Sequence, residues 1–236
     1  MKETIIIALF QEHYNSCWYK NILKLVKDEN LCTFCYQVNR DISIMISRIE
    51  GARRLIDVGI ALPDCSKLNE YLPYEKAGFI IFTNTGITVS ERLYNVFNRA
   101  FKIGYKKVII VSHRTPNLPP KYIETAVKRM NEGSQIIIGP LSNGGLYLIG
   151  MSNHVYNKLV KKETFNKINF DTSKLEILKF LVKVRFLTSL YTLPKWYQLK
   201  SINDFKKITF KNYKNEIAWN ATWTRQILRR YLNNEI

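Results

Sequence analysis

Apolar residues along the chain fall into short runs separated by polar, Gly- and Pro-containing stretches, and the first run, Lys2 to Phe10, is continuous and rich in β-branched residues. Such a run predicts a strand buried on both faces. Tyr14 to Val26 predicts a helix, Thr33 to Val38 a second strand, and Ile42 to Gly51 a helix or an extended segment, while Leu55 to Leu62 fits more than one element. Ala77 to Thr83 predicts a strand and Asn84 to Thr88 a polar loop. A helix should then run from Val89 to about Ile103 and stop at Gly104, a residue suited to the left-handed conformation of a C-cap.

The clearest unit comes next: Lys107 to Val111 as a buried strand, Ser112 to Pro120 as a Pro-rich loop, Lys121 to Asn131 as an amphipathic helix ended by Gly133, and Ser134 to Ile138 as a further strand. A turn-rich loop, Gly139 to Gly145, leads into the strand Leu146 to Met151. This rhythm predicts a right-handed βαβ crossover in a mostly parallel sheet with helices on both faces. Ligands of such sheets bind at the carboxyl ends of the strands, which puts Ser112 to Pro120 and Gly139 to Gly145 at the candidate site. Beyond Asn153 the pattern is more helical, over His154 to Lys161 and Lys174 to Val184, with one more strand in Phe186 to Leu193, a short helix from Ile202 to Phe205 and a basic helix from Ala218 to Leu232. With no repeat, linker or boundary in sight, residues 1–236 read as a single α/β domain.

Composition narrows the class. With 46% hydrophobic and 13% aromatic residues in 236, the chain can fill a real core and is not of the disordered type. Its apolar runs, such as Thr4 to Phe10, are far shorter than the roughly 20 residues of a membrane-spanning helix. The start lacks a signal-peptide cleavage pattern, so a cytoplasmic protein is expected. Cys17, Cys32, Cys35 and Cys65 include one lone C-x-x-C with no second ligand pair, which favours packed thiols over a metal or redox site. The net charge of +17 is uneven, with 17 Lys and Arg against 6 Asp and Glu in residues 151–236. A region this basic attracts a polyanion, whether nucleic acid, an anionic membrane surface or a phosphorylated ligand. The terminal segment Trp219 to Arg230 interleaves aromatics with arginines, either to stack on bases or to dock Trp223, Ile227 and Leu228 on the core while Arg225, Arg229 and Arg230 stay in water.

Three motifs carry a resemblance. They are Ser90-Glu91-Arg92-Leu93 with Ala100-Phe101 and Gly104; Val108-Ile109-Ile110-Val111-Ser112-His113-Arg114-Thr115-Pro116-Asn117-Leu118; and Gly139-Pro140-Leu141-Ser142-Asn143-Gly144-Gly145-Leu146-Tyr147-Leu148-Ile149-Gly150. Over residues 78–151 they resemble the small GT-A-like nucleotide-diphospho-sugar transferases, also called selenodomain-associated transferases. That family reads L-G-E-R-L, A-F-x-x-G, V-x-I-I-G-[ST]-D-x-P-x-L and G-P-x-x-D-G-G-Y-Y-L-I-G. A weaker match runs through Phe170-Asp171-Thr172, at the family's W-S-T, and from Leu193-Pro194 to Asp204-Phe205.

The resemblance implies a GT-A-like fold and a nucleotide-sugar or related phosphorylated ligand at the loops Asn84 to Ser90, Ser112 to Asn117 and Gly139 to Gly145. The departures are in the acids. The family's metal-binding Asp falls on Arg114, the Asp of D-G-G on Asn143, and the two acids of D-V-D-T on Gln198 and Lys200. A guanidinium has no lone pair for a metal, so no divalent cation is expected. Arg114 assisted by Lys200 would hold the diphosphate instead, and Asn143 with the backbone of Gly144 and Gly145 would position the sugar. Asp171 is a candidate general base or ligand contact, and His113 a candidate phosphate or base group that could equally point into the strand layer. Only the resemblance brings Glu91 and Arg92 into the ligand set. Two functions stay open: a metal-independent transferase, or a catalytically degenerate binding protein whose basic surface engages nucleic acid or an acidic protein.

Overall fold

Strand β1 (Thr4–Leu9) is buried along its whole length, and its alternate residues feed two different cores. Ile6 and Ala8 point to one face of the sheet, and Ile5, Ile7 and Leu9 to the other, as the two-residue period of a strand requires. Each Ile or Leu side chain buried this way contributes about 1.5–3 kcal/mol. The computed structural model describes residues 3–10, 31–49, 56–63, 72–142, 144–161, 169–185, 188–198, 204, 212–213, 216–217 and 221–232.

Around β1 stand β2 (Ile56–Pro63), β3 (Ile80–Asn84), β4 (Lys107–Ser112), β5 (Ile136–Pro140), β6 (Leu146–Ser152) and β7 (Leu190–Thr192), in the order β3-β2-β1-β4-β6-β5-β7. The β1, β2, β3 and β4 pairings are parallel, as is β5 with β7, and β6 alone runs antiparallel to both neighbours. The sheet is therefore mostly parallel, as the pattern predicts, but β4 and β5 do not touch. Strand β6 lies between them, an insertion that apolar period alone does not encode.

Helices cover both faces. On one side lie α1 (Leu31–Ser47), α2 (Leu72–Lys76), α4 (Pro120–Asn131) and α7 (Thr222–Leu232); on the other lie α3 (Val89–Ile103), α5 (Asn153–Lys161) and α6 (Lys174–Arg185). A small hairpin, β8 (Asn212–Tyr213) with β9 (Glu216–Ile217), stands apart from the main sheet. Among the described residues no helix is long and apolar enough to cross a membrane.

The strand expected over Thr33 to Val38 is instead part of α1. Phe34, Val38, Ile42, Met45 and Ile46 are all buried at helical spacing, and this stripe decides the element over the β-like residues Thr33 to Val38. Of the segment Leu55 to Leu62, residues 56–62 lie in β2, and Ala77 and Gly78 form a turn ahead of β3. Gly139 and Pro140, expected in a loop, extend β5. The expected helices Tyr14 to Val26 and Ile202 to Phe205 lie outside the described residues, the latter but for Asp204. Cys35 is a buried thiol on α1, while Cys17 and Cys65 lie outside the described residues.

The basic terminal helix docks on α1 through a carboxylate. Asp41, 2% exposed, accepts the backbone N–H of Trp223 at 3.3 Å and of Thr224 at 2.7 Å, capping α7 from a distant element. The Arg40 guanidinium sits 3.7 Å above the Trp223 ring. Burial raises the Asp41 pKa above its ordinary value, with the N–H bonds to Thr224 and Trp223 pulling the other way. Ile227 is buried and Arg229 and Arg230 are exposed, the docked arrangement of the two considered for this segment.

Candidate functional site

The carboxyl ends of β1, β3, β4 and β5 open on one edge of the sheet, and antiparallel β6 begins there. Residues 169–174 cross this edge and are held to the start of β6: the Gly145 N–H donates to the Thr172 carbonyl at 2.9 Å and the Leu146 N–H to that of Phe170 at 3.1 Å. Gly145 is required for this crossing. Its φ is +85°, and a Cβ would come within 2.5 Å of the Phe170 carbonyl oxygen.

A cleft of about 470 Å³ lies between these segments, lined by Gly144, Gly145, residues 170–175 and Gln198. That is the size of a small-molecule site. Ser173 at its wall accepts the Glu176 N–H at 3.2 Å, capping α6, so the cleft also meets a helix N-terminus flanked by exposed Lys174.

Arg114 follows β4 and is mostly buried, its side chain 13% exposed. Its guanidinium grips Asp171 with both terminal nitrogens, Nη1 to Oδ1 and Nη2 to Oδ2 at 3.1 Å. Asp171 is held in turn: its N–H donates to Asn169 Oδ1 at 2.7 Å, and the Asn169 amide reaches Ser90 Oγ at 2.8 Å. The fork expected to meet a phosphate therefore meets a carboxylate supplied from 57 residues further on, and the two charges neutralise one another.

His113 has turned inward. It is 6% exposed and its Nδ1–H donates to the Leu9 carbonyl at 3.2 Å, tying the ends of β4 and β1 together. Burial, and secondly the Arg114 charge, push its pKa down to about 3, so the ring is neutral at neutral pH and brings no positive charge to a phosphate. Glu91 and Arg92 are engaged in the loop before α3. Glu91 accepts the N–H groups of Ile87 at 2.8 Å and Thr88 at 3.2 Å while Thr88 Oγ1 accepts its N–H at 3.1 Å, a complete capping box, and Arg92 Nε donates to the Gly86 carbonyl at 2.8 Å. Arg114, Gly144, Gly145 and Asp171 are thus brought together. Asn143 and Lys200 lie outside the described residues.

Gln198, absent from the expected ligand set, belongs to this site. The chain beyond β7 continues along β5, with Trp196 N–H on the Pro140 carbonyl at 3.1 Å and Ser142 N–H on the Trp196 carbonyl at 2.8 Å. Asn117 supports the turn by bonding the Tyr197 hydroxyl. Gln198 arrives at the cleft wall 2% exposed, with no partner for its Oε1 among the described residues. Its signal is the motif resemblance, in which an acid of D-V-D-T falls on it. Asn84 Oδ1, at the end of β3, is likewise buried without a partner among the described residues.

Among the described residues, the donor set of the cleft does not fit a divalent cation. Both Asp171 oxygens are engaged by Arg114, Gln198 is neutral, and among the described residues no three His, Cys, Asp or Glu side chains come together.

A family model described as uncharacterized protein conserved in bacteria (DUF2064) matches residues 52–172, about half of the chain. The chain belongs to this family. Arg114, Gly144, Gly145 and Asp171 all fall within the DUF2064 match, and Gln198 lies beyond it. No curated protein matches the sequence. Among solved structures, a protein of Desulfovibrio desulfuricans G20, provisionally named a nucleotide-diphospho-sugar transferase, matches with a TM-score of 0.74 at 18% identity, over 99% of this chain and 96% of that one. A cytidylyltransferase of Leptospira borgpetersenii serovar Hardjo-bovis matches with a TM-score of 0.55 at 10% identity, over 99% and 96%. A CMP:2-keto-3-deoxy-manno-octonic acid synthetase, solved with CTP, matches with a TM-score of 0.52 at 12% identity, over 88% and 97%. The DUF2064 chain thus has the GT-A-like fold that its motifs resemble.

Proposed function

We propose that this DUF2064 protein binds a nucleotide-sugar, or a related nucleotide-type phosphorylated ligand, in the cleft at the carboxyl edge of its sheet, and does so without a bridging divalent cation. The observation that carries the reading is the match of almost the whole chain, at a TM-score of 0.74, to a fold shared with transferases of nucleotide substrates, together with a cleft at the edge where such sheets bind ligands. In this reading Asp171 is a placeholder. An incoming diphosphate takes the Arg114 fork from it, Lys174 and Lys200 add charge, and Gln198 with Asn143 and the Gly144–Gly145 backbone contact the sugar.

The placeholder role has a signed test. Asp171→Asn removes the competing charge and should tighten nucleotide binding in a calorimetric titration, whereas Arg114→Ala should abolish it. Weaker binding by Asp171→Asn would make the carboxylate a ligand contact, and undiminished binding by Arg114→Ala would sink the assignment.

Loss of catalysis is the second reading, favoured by the mutual neutralisation of Arg114 and Asp171. A time course of donor breakdown separates the two, since a degenerate protein binds without turnover.

A further inference from the structure

Helix α6 is apolar on two opposite sides. Ile177, Phe180 and Val184 are packed into the core, while Leu175, Leu178 and Val182 stand 61%, 59% and 61% exposed. A helix apolar on both sides is ordinarily covered on both. At 100° per residue the exposed three form one outward ridge, with Lys179 and Lys183 along one flank and Lys174 and Arg185 along the other. All four cations are exposed. Glu176 is the one acid of the helix and is paired with Lys179 at 3.2 Å.

We propose that α6 docks on an anionic membrane surface, its Leu175, Leu178 and Val182 ridge entering the headgroup layer and its flanking cations meeting lipid phosphates. Charge complementarity commits the surface to this occupant: basic residues border the ridge on both sides, in a region holding 17 Lys and Arg against 6 Asp and Glu. A ridge of three side chains is far smaller than the roughly 800 Å² a side of a stable protein–protein interface. At 12 residues the helix is too short to span a bilayer, which takes about 20. Lys174 and Leu175 also line the cleft, so docking would hold the cleft rim at the headgroups. Because Lys174 is also given to the diphosphate in the proposed function, the docking rests on the ridge with Lys179, Lys183 and Arg185, and does not require a nucleotide ligand.

The test is flotation of the full chain with phosphatidylcholine vesicles, with and without about one third phosphatidylglycerol. The protein should float with the anionic vesicles only, and less so at high salt. Leu178→Ser/Val182→Ser, which leaves the charge unchanged, should lose about tenfold or more in affinity. Lys179→Gln/Lys183→Gln should bind more weakly and with a shallower salt dependence. Both positions in the apolar variant are exposed, so its thermal melt should match the parent, and Val182→Ser alone carries the comparison if it does not. The proposal is overturned by absence of binding to anionic vesicles, by wild-type affinity in the apolar variant, or by a ridge substitution that splits a dimer while leaving vesicle binding unchanged.

Discussion

Acidification should destabilise the protein through His113, and the amount follows from its burial. The ordinary imidazole pKa of 6.5 falls to about 3 in the folded chain. Between those values the unfolded chain holds a proton that the folded one refuses, so stability is complete above pH 6.5 and declines as the pH falls toward 3. Linkage makes the loss about 1 kcal/mol at about pH 5.5 and about 3 kcal/mol at about pH 4.5, relative to about pH 7.5. His113→Asn is the control, because an Asn amide can donate to the Leu9 carbonyl in place of Nδ1–H and does not titrate. Urea unfolding of both proteins at these pH values isolates the effect as the difference between them, which cancels the carboxylates common to both. That difference should shift in favour of the variant by about 1.4 kcal/mol per pH unit below about pH 6. A difference independent of pH would refute the neutral, inward-turned His113.

Other expectations follow from single contacts. Gly145→Ala combines a left-handed backbone with a Cβ at 2.5 Å from the Phe170 carbonyl oxygen, and should cost about 1–3 kcal/mol in chemical denaturation. Asp41→Ala removes the carboxylate that caps α7 and should cost about 1 kcal/mol, with faster amide hydrogen exchange in residues 222–232. Because Asp41 is shifted upward, its charge opposes folding; this share of stability is greatest below the ordinary carboxylate pKa and is lost as the pH rises through the shifted one. A double-mutant cycle on Arg114→Ala and Asp171→Ala should give a coupling of about 1 kcal/mol, limited by the half-exposed Asp171.

Helix α3 was legible to the residue because its stop and start are chemical: Gly104 ends it at φ +114°, and Thr88 with Glu91 opens it as a capping box. The spacing of Thr88 and Glu91 is that of a capping box, and Glu91 accordingly serves the start of the helix. Helix α1 is hidden because Thr33, Phe34, Tyr36 and Val38 satisfy a strand template, and only the longer stripe from Phe34 to Ile46 carries the helical period. The direction of β6 was illegible, since a fully buried strand has the same pattern whichever way it runs. In the site, the glycine turn and the edge of the sheet were read from motif and topology. The Arg114 and Asp171 pair was not, because a contact across 57 residues leaves no local signal, and each residue alone suggested a different chemistry.

The central claim, a nucleotide-type ligand at the carboxyl edge held without a metal bridge, is tested most directly by a thermal-shift panel of nucleoside diphosphates and their sugar conjugates, run with manganese and again with chelator. A ligand at a hundred times its dissociation constant adds about 2.7 kcal/mol of stability. The account predicts that one nucleotide raises the melting temperature equally in both conditions, and that Arg114→Ala removes the shift. Stabilisation that appears only with manganese, or none from any nucleotide, would contradict it.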